Sequence, residues 1–256
     1  MSLPHRLATP MTASGSTSGR MIRAVFFDVG NTLLFPYPSV SEVCRQILAE
    51  EGHLHDLSAI DALMPLVDEY YEDRYRTDDT FWTDEGETSQ VWVGMYSLLC
   101  RRLGIADEPE RIARRVYDEF GDPARWRAYP DVEPAFRRLR ARGLRLGIIS
   151  NWDRRLSPLL AGLGLGELLD TVVSSADVGM RKPDPRIFEL ACERLGIQPA
   201  EAVHVGDHHY ADVIGATAVG MVPVLIDRHG DCAVRAERFV TSLDDVESVL
   251  GMEERE

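Results

Sequence analysis

The chain has 256 residues, of which 45% are hydrophobic and 27% charged, a balance typical of a globular protein with room for one domain and an insertion. Its formal net charge of −14 argues against a nucleic-acid-binding surface, which needs a basic face. No apolar run in the sequence approaches the roughly 18 residues that a membrane-spanning helix requires.

The N-terminal segment and the cysteines bear on the cellular compartment of the protein. Residues 1–20 are rich in Ser, Thr, Gly and Pro and lack an apolar segment, which predicts a disordered leader rather than a secretory signal. The four cysteines are far apart and form no closely spaced pair of the kind found in zinc or redox motifs: Cys44, Cys100, Cys192 and Cys232. We therefore expect free thiols and a cytoplasmic protein.

The first predicted element is a short buried strand, Ala24–Phe27, which ends at Asp28. Helical patterns then occupy residues 39–121, and no strand-like run interrupts them. Start and stop signals divide this block into four predicted helices, which run from Ser41 to Gly52, from Ser58 to Arg76, from Thr88 to Gly104, and from Asp107 to Gly121.

From Asp131 onwards, helices alternate with short apolar strands. The predicted strands are Leu144–Ser150, Thr171–Ser174, Ala202–Val205 and Val222–Ile226. The predicted helices are Glu133–Arg142, Arg155–Leu163, Pro185–Leu195, Ala211–Val219 and Leu243–Leu250. This alternation predicts an α/β fold with a doubly wound parallel sheet. We expect a core domain made of residues 21–36 and 123–256, and an inserted helical cap domain at 37–122.

Polar residues follow four of the predicted strands, at the edge where such sheets bind ligands. They are Asp28 to Thr32, Ser150-Asn151, the loop that contains Lys182, and Gly206-Asp207 with Asp212 five positions later. Each feature alone is an ordinary turn or helix cap. Together they indicate a site, because Lys182 is the only Lys among 28 basic residues and Lys does not substitute for Arg in a tight anionic site.

In this order, the four features resemble the motifs of the haloacid dehalogenase superfamily, over roughly residues 23–250. The stretches Ser150–Leu156 and Lys182–Phe188 look most similar to the subgroup called haloacid dehalogenase-like hydrolase domain-containing protein three. The resemblance implies a Rossmann-like core, a helical cap inserted after the first strand, and a hydrolase that acts on a small phosphorylated substrate.

The resemblance also implies a role for each matching residue. Asp28 is the nucleophile and forms an aspartyl-phosphate intermediate. Mg²⁺ is held by Asp28, the Gly30 carbonyl and Asp207, with Asp212 behind them. Lys182 balances the charge of nucleophile and phosphate. The groups that donate hydrogen bonds to the transferring oxygens are Thr32, Ser150 and Asn151.

Gly30 departs from the family pattern, because phosphatases of this type carry a second Asp there as a general acid. Positioned acid–base help is worth ~10²–10⁴ in rate. Three interpretations stay open: a Mg²⁺-dependent phosphatase that is slow or prefers activated esters, a dehalogenase or phosphonate hydrolase, and a phosphate-binding or interaction protein with little turnover. Asp207 argues against a dehalogenase, and the lack of a cap Lys argues against a phosphonate hydrolase.

Several His and aromatic residues near these motifs have a structural and a functional interpretation. We expect His208 and His209 to be solvated loop residues, and the alternative is that one of them faces the site and replaces the missing acid. His204 is expected to pack in the core. The segment Arg74–Gln90 is the predicted specificity element of the cap. The aromatic residues expected to pack the cap core are Tyr70, Tyr71 and Trp92, and Trp152 is expected either at the site mouth or against the lid.

Overall fold

The computed structural model describes residues 21–230 and 236–251, so the predicted leader and Cys232 lie outside the described residues. The strands are β1 (Ala24–Phe27), β2 (Leu34–Pro36), β3 (Trp126–Ala128), β4 (Arg145–Ser150), β5 (Thr171–Ser174), β6 (Ala202–Gly206), β7 (Val222–Ile226) and β8 (Phe239–Val240). The α-helices are α1 (Val40–Glu50), α2 (Leu57–Asp61), α3 (Met64–Thr77), α4 (Glu85–Arg102), α5 (Pro109–Glu119), α6 (Val132–Ala141), α7 (Leu156–Gly162), α8 (Ser175–Val178), α9 (Pro185–Leu195), α10 (Gly215–Val219) and α11 (Val246–Val249).

Six strands form one parallel sheet in the order β5-β4-β1-β6-β7-β8, which confirms the predicted fold class. Successive side chains of a strand point to opposite faces. In β1, Val25 and Phe27 accordingly join the hydrophobic cluster on one face, and Ala24 and Phe26 join the cluster on the other. Because both faces are covered, β1 is wholly apolar and buried, as is usual in a parallel sheet.

Helices α1 to α5 pack around a third hydrophobic cluster of their own, above the carboxyl ends of the strands. Its members include Val43, Ile47, Leu99 and Ile112. The chain leaves the core through β2 and returns through β3, and these two strands pair antiparallel. The exact boundaries of a core and a cap domain stay a prediction.

Two predicted helix starts are wrong because another side chain supplies the cap. Ser39 caps α1, since its Oγ accepts a hydrogen bond from the Glu42 backbone N–H at 3.1 Å, whereas Ser41 is buried. Asp84 likewise caps α4 through the Glu87 N–H at 3.0 Å. Thr88 is a buried residue inside that helix.

Other predictions of regular structure need smaller corrections. The helix expected from Ser58 to Arg76 is two helices, α2 and α3, separated at Ala62–Leu63. Pro65 in the first turn of α3 is tolerated there because that turn needs no backbone donor. The helix expected from Ala211 begins two residues earlier, as a π-helical turn at His209–Ile214, and continues as α10.

The sequence did not predict β2, β3 or β8, which have only two or three residues each. The expectation of free thiols holds for Cys44, Cys100 and Cys192, which are buried and unpaired. Among the described residues, no helix is both long and apolar enough to cross a bilayer.

Candidate active site

Three carboxylates meet at the carboxyl ends of β1 and β6. Asp28, Asp207 and Asp212 each offer an oxygen, and these atoms all lie within 4.8 Å of one another. The meeting follows from the sheet, because β1 and β6 are parallel neighbours and their ends share one edge. The Asp28 backbone N–H donates to the Val205 carbonyl at 2.9 Å, which extends the pairing of the two strands up to the site.

Lys182 is the ammonium group of this cluster. Its side chain is only 2% exposed, and Nζ lies 2.6 Å from Asp28 Oδ1 and 2.5 Å from Asp212 Oδ1. Burial opposes the charged form, but the charges of Asp212 and Asp28 outweigh it and raise the pKa of Lys182. The same ammonium group holds the pKa of Asp212 well below its usual range, despite the burial of that carboxyl. Lys182 therefore remains protonated between the two carboxylates.

Ser150 and Asn151, at the end of β4, hold the nucleophile candidate and the Lys182 loop. Ser150 Oγ donates to Asp28 Oδ1 at 2.9 Å. The Asn151 amide makes two hydrogen bonds to the backbone of Lys182: Oδ1 accepts from its N–H at 2.8 Å, and Nδ2 donates to its carbonyl at 3.0 Å. Asn151 thus fixes the position of the lysine, a task that its sequence context did not show. The predicted hydrogen bonds from Thr32, Ser150 and Asn151 to the substrate oxygens stay predictions.

His204 is a hydrogen-bond partner of Asp212, although its place in an apolar strand predicted only packing in the core. It is buried in β6, as expected, and its Nε2 lies 2.8 Å from Asp212 Oδ1. Burial lowers the pKa of His204, so the ring is neutral and Nε2 donates. The other oxygen, Oδ2, accepts from the His208 backbone N–H at 3.0 Å. Gly206 is required beneath this carboxyl group, since an added Cβ would collide with it.

Asp207 lies at the outer side of the cluster, with Thr32 Oγ1 at 3.5 Å from its Oδ1. Burial, together with the charges of Asp28 and Asp212, raises the pKa of Asp207 to about 8. Three carboxylates therefore share one ammonium group, and the excess negative charge calls for a further cation. Several carboxylate oxygens close together are the donor set that Mg²⁺ prefers, so the residues fit that ion.

A cavity of about 440 Å³ separates this cluster from the cap. Gly30 and Trp152 line it from the core, and Tyr75 and Trp82 line it from the predicted specificity segment. The remaining cap residues of the lining lie outside that segment: Val40, Tyr71, Glu72, Trp92, Tyr96, Tyr117 and Phe120. Most of the aromatic wall therefore comes from α3, α4 and α5.

Some aromatic and His residues have a second role that the sequence did not indicate. Tyr70, Tyr71 and Trp92 pack against the cap cluster, as expected, but Tyr71 and Trp92 also line the cavity. His208 is exposed and yet lines the cavity as well, and its Nδ1 accepts from the Ala211 N–H at 3.1 Å. The exposure of His208 confirms the expectation of a solvated residue, and its role as a replacement for the missing acid stays a hypothesis.

The cap is joined to the core on two sides of the cavity. On one side, Asp79 forms an ion pair with Arg181, the neighbour of Lys182. On the other side, the Tyr117 hydroxyl donates to Asp153 Oδ2 at 3.1 Å, and Glu85 accepts from the Arg154 N–H at 2.9 Å. These contacts place the cap directly over the carboxylates.

A parallel α/β core, a helical cap inserted after its first strand, and a carboxylate–lysine cluster beneath that cap together define a class of capped α/β hydrolases. Within that class, the chain belongs to the haloacid dehalogenase-like hydrolase family, whose model matches residues 22–220. The family resemblance of the sequence motifs is thereby confirmed.

Similar proteins include members of the predicted subgroup and phosphatases. The chain is 34% identical over 212 residues to haloacid dehalogenase-like hydrolase domain-containing protein 3 of Mus musculus, which covers 80% of this chain and 82% of the relative. It is 35% identical over 215 residues to glyceraldehyde 3-phosphate phosphatase of Methanopyrus kandleri, covering 81% and 85%. A solved structure of a HAD phosphatase from Thermococcus onnurineus matches with 28% identity and a TM-score of 0.60, over 91% of this chain and 99% of that one.

Proposed function

We propose that the chain is a Mg²⁺-dependent phosphatase of a small phosphorylated metabolite, with Asp28 as the nucleophile. The observation that carries this proposal is the buried ammonium group of Lys182 between Asp28 and Asp212, with Asp207 in the same cluster. Phosphatases among the relatives support it. The predicted division into a core and a cap domain is part of the same proposal, because the cavity lies between them.

The residues account for the transfer step by positioning and charge. Asp28 attacks phosphorus and forms an acyl-phosphate, while the bond to the leaving oxygen breaks. Ser150 and Lys182 hold the attacking carboxylate in one orientation, and Lys182 also offsets the negative charge of the phosphate. Thr32 and Asn151 supply donors near the transferring oxygens. Water then hydrolyses the acyl-phosphate and restores Asp28.

Asp28, the Gly30 carbonyl and Asp207 would hold Mg²⁺, and Asp212 would orient Lys182 behind them. When bound, the ion neutralises charge on the phosphate and on the carboxylates. The pKa of Asp207, which burial and then the charges of Asp28 and Asp212 raise to about 8, supports this assignment, because a bound cation would offset both causes. In phosphoryl transfer, such electrostatic positioning supplies most of the catalysis.

Gly30 bears on which phosphates are turned over. It lines the cavity without a carboxyl group, so no residue at this position protonates the leaving oxygen. Acyl phosphates, whose leaving group needs no proton, are therefore expected to react faster than simple alkyl phosphates.

The test is release of phosphate from a panel of alkyl, aryl and acyl phosphates, with Mg²⁺ and with a chelator. We expect chelator-sensitive release by the wild type and at least a hundredfold loss in Asp28→Asn. Asp61→Asn, a change of an exposed cap carboxylate, serves as the matched control and should retain full activity. Equal, chelator-insensitive release by wild type and Asp28→Asn would indicate a binding protein instead. Halide release from 2-haloacids or cleavage of phosphonates would indicate the other hydrolases of the family.

A further inference from the structure

A first row of aromatic rings leads from the cap to the catalytic carboxylates along one wall of the cavity. The ring centroids of Trp92 and Tyr71 are 5.8 Å apart, those of Tyr71 and Tyr75 are 5.9 Å apart, and those of Tyr75 and His208 are 5.7 Å apart. His208 directly follows Asp207 in the chain. The row therefore ends beside the proposed metal site, and every member lines the cavity.

A second row of rings runs along another part of the lining. Its centroid separations are 6.0 Å for Tyr96 and Phe120, 5.9 Å for Phe120 and Trp126, and 5.1 Å for Trp126 and Trp152. Trp152 Cζ3 lies 3.6 Å from the position that a Cβ of Gly30 would take. This row also ends at the catalytic carboxylates, so two aromatic rows border the space beyond the phosphate position.

The cations of the lining are already occupied by carboxylates. Lys182 binds two carboxylates of the catalytic cluster. The Arg155 guanidinium donates to both oxygens of Asp153, at 3.0 and 2.6 Å, and lies 3.7 Å from the centroid of the Tyr117 ring. Among the described residues of the lining, no Lys or Arg remains for a second anionic group of a substrate.

The charge of the cap side of the cavity is also negative. Glu72 lines it, with 54% of its side chain exposed and only a long ion pair of 3.8 Å to Arg76. A carboxylate on the organic part of a substrate would therefore meet repulsion there as well as find no cation.

We infer that the substrate is a phosphomonoester whose organic part is aromatic and carries no second anionic group. The inference rests on the proposed function, since it takes the phosphate to bind at Asp28. A cavity of about 440 Å³ lies within the range of small-molecule sites and leaves room for a ring system beside the phosphate. Offset and edge-to-face contacts with the two rows would hold that ring.

One polar group on the cap side adds a detail to the substrate class. The indole N–H of Trp82, a residue of the lining, is buried and makes no hydrogen bond within 3.5 Å to a described residue, and the polar group that it influences is the Tyr71 hydroxyl. Buried donors are nearly always hydrogen-bonded, so an acceptor on the bound substrate would complete this one. An uncharged oxygen on the aromatic group, such as a hydroxyl or carbonyl, would supply that acceptor.

The inference is tested by calorimetric binding of three stable phosphonates to the wild type in the presence of Mg²⁺. All three carry the phosphonate on a chain of three carbons, and they differ in the group at the far end of that chain: propylphosphonate, 3-phenylpropylphosphonate and 3-phosphonopropionate. We expect the phenyl compound to bind at least tenfold more tightly than propylphosphonate, and the carboxylate compound to bind at least threefold more weakly. No gain from the phenyl group, or tightest binding of the carboxylate compound, would overturn the inference.

Hydrolysis of acetyl phosphate by wild type and Asp28→Asn reports on the proposed function separately. Hydrolysis that depends on Asp28, without a phenyl preference, would leave the phosphatase proposal standing and sink the substrate class. A phenyl preference without hydrolysis would sink the phosphatase proposal and leave only a site that binds an aromatic phosphate.

Two pairs of variants locate the preference in the cavity. Tyr71→Leu should lower the phenyl-to-propyl affinity ratio at least threefold, whereas Tyr70→Leu, at the neighbouring cap residue that does not line this cavity, should leave it unchanged. Glu72→Lys, a surface change that does not endanger folding, should raise the affinity for 3-phosphonopropionate at least threefold, and Glu69→Lys one turn earlier should not. Equal effects of the two members of either pair would overturn the assignment of the aromatic group to this cavity.

Discussion

Replacing Gly30 by Asp should speed the hydrolysis of unactivated alkyl phosphates. The backbone there is outside the left-handed region that favours glycine, and a new Cβ would lie 3.6 Å from Trp152 Cζ3, an ordinary van der Waals contact. The folded structure therefore has room for the side chain. Since Gly30 lines the cavity two residues after Asp28, the new carboxyl group enters the reaction space.

The size of the effect follows from the missing proton donor. Positioned acid–base catalysis contributes ~10²–10⁴ in rate, which corresponds to about 3–5 kcal/mol of the barrier. We expect an increase of that order in kcat for propyl phosphate. Acetyl phosphate should gain far less, because its carboxylate leaving group needs no proton.

The assay compares phosphate release from propyl phosphate and acetyl phosphate, with Mg²⁺, for wild type, Gly30→Asp and Gly30→Asn. The Asn variant fills the same space without an acidic proton and should behave like the wild type. Both substrates pass through the same acyl-phosphate on Asp28, so their rate ratio isolates protonation of the leaving group. An unchanged ratio in Gly30→Asp, or an equal gain in Gly30→Asn, would refute the reasoning.

Three further predictions concern stability and the cap. Lys182→Met removes the ammonium group from buried carboxylates and should lower the free energy of unfolding by about 3–5 kcal/mol, as measured in urea at pH 7 without metal; a loss below about 1 kcal/mol would contradict the charge balance described above. The pKa of Asp207 is raised to about 8 from its ordinary value near 3.8, so its contribution to stability is complete below pH 4 and is lost as pH rises through 8. Metal-free protein should therefore lose stability over that window, and a pH profile of Asp207→Asn that shows the same slope would disprove the cause. Asp79→Asn weakens the ion pair with Arg181 and should increase hydrogen exchange in the 3₁₀ turn at Asp79–Thr83; unchanged protection there would show that this pair does not hold the cap.

The sequence predicted the core sheet well because its signals are local. A run such as Val222–Ile226 is apolar on both faces and short, and Asp184 before Pro185 is a strong helix start, so these elements have the predicted bounds. The cap was less predictable. Asp84 and Thr88, for example, both satisfy the composition rule for a helix cap. The folded structure decides between them, because the Thr88 hydroxyl donates to the Phe81 carbonyl at 2.7 Å while Asp84 accepts from the Glu87 N–H.

The sequence also indicated which residues gather at the site, because chain order in a parallel α/β fold places every strand end on one edge. Asp28, Lys182, Asp207 and Asp212 do lie together there. The partner of Asp212 was not predictable, since nothing local distinguishes a packed His204 from one that donates across to a helical turn eight residues later.

The amino-acid sequence by itself determined the family, the parallel sheet and the carboxylate–lysine cluster, because each depends on hydrophobic periodicity or on the order of motifs along the chain. Only the tertiary structure decided the shape and charge of the cavity. Its aromatic walls join rings from Tyr71 to His208, and the charged Arg155 of its lining lies over the ring of Tyr117 in the cap. Contacts between side chains so far apart in sequence depend on how the cap packs over the core, and no local pattern encodes that packing.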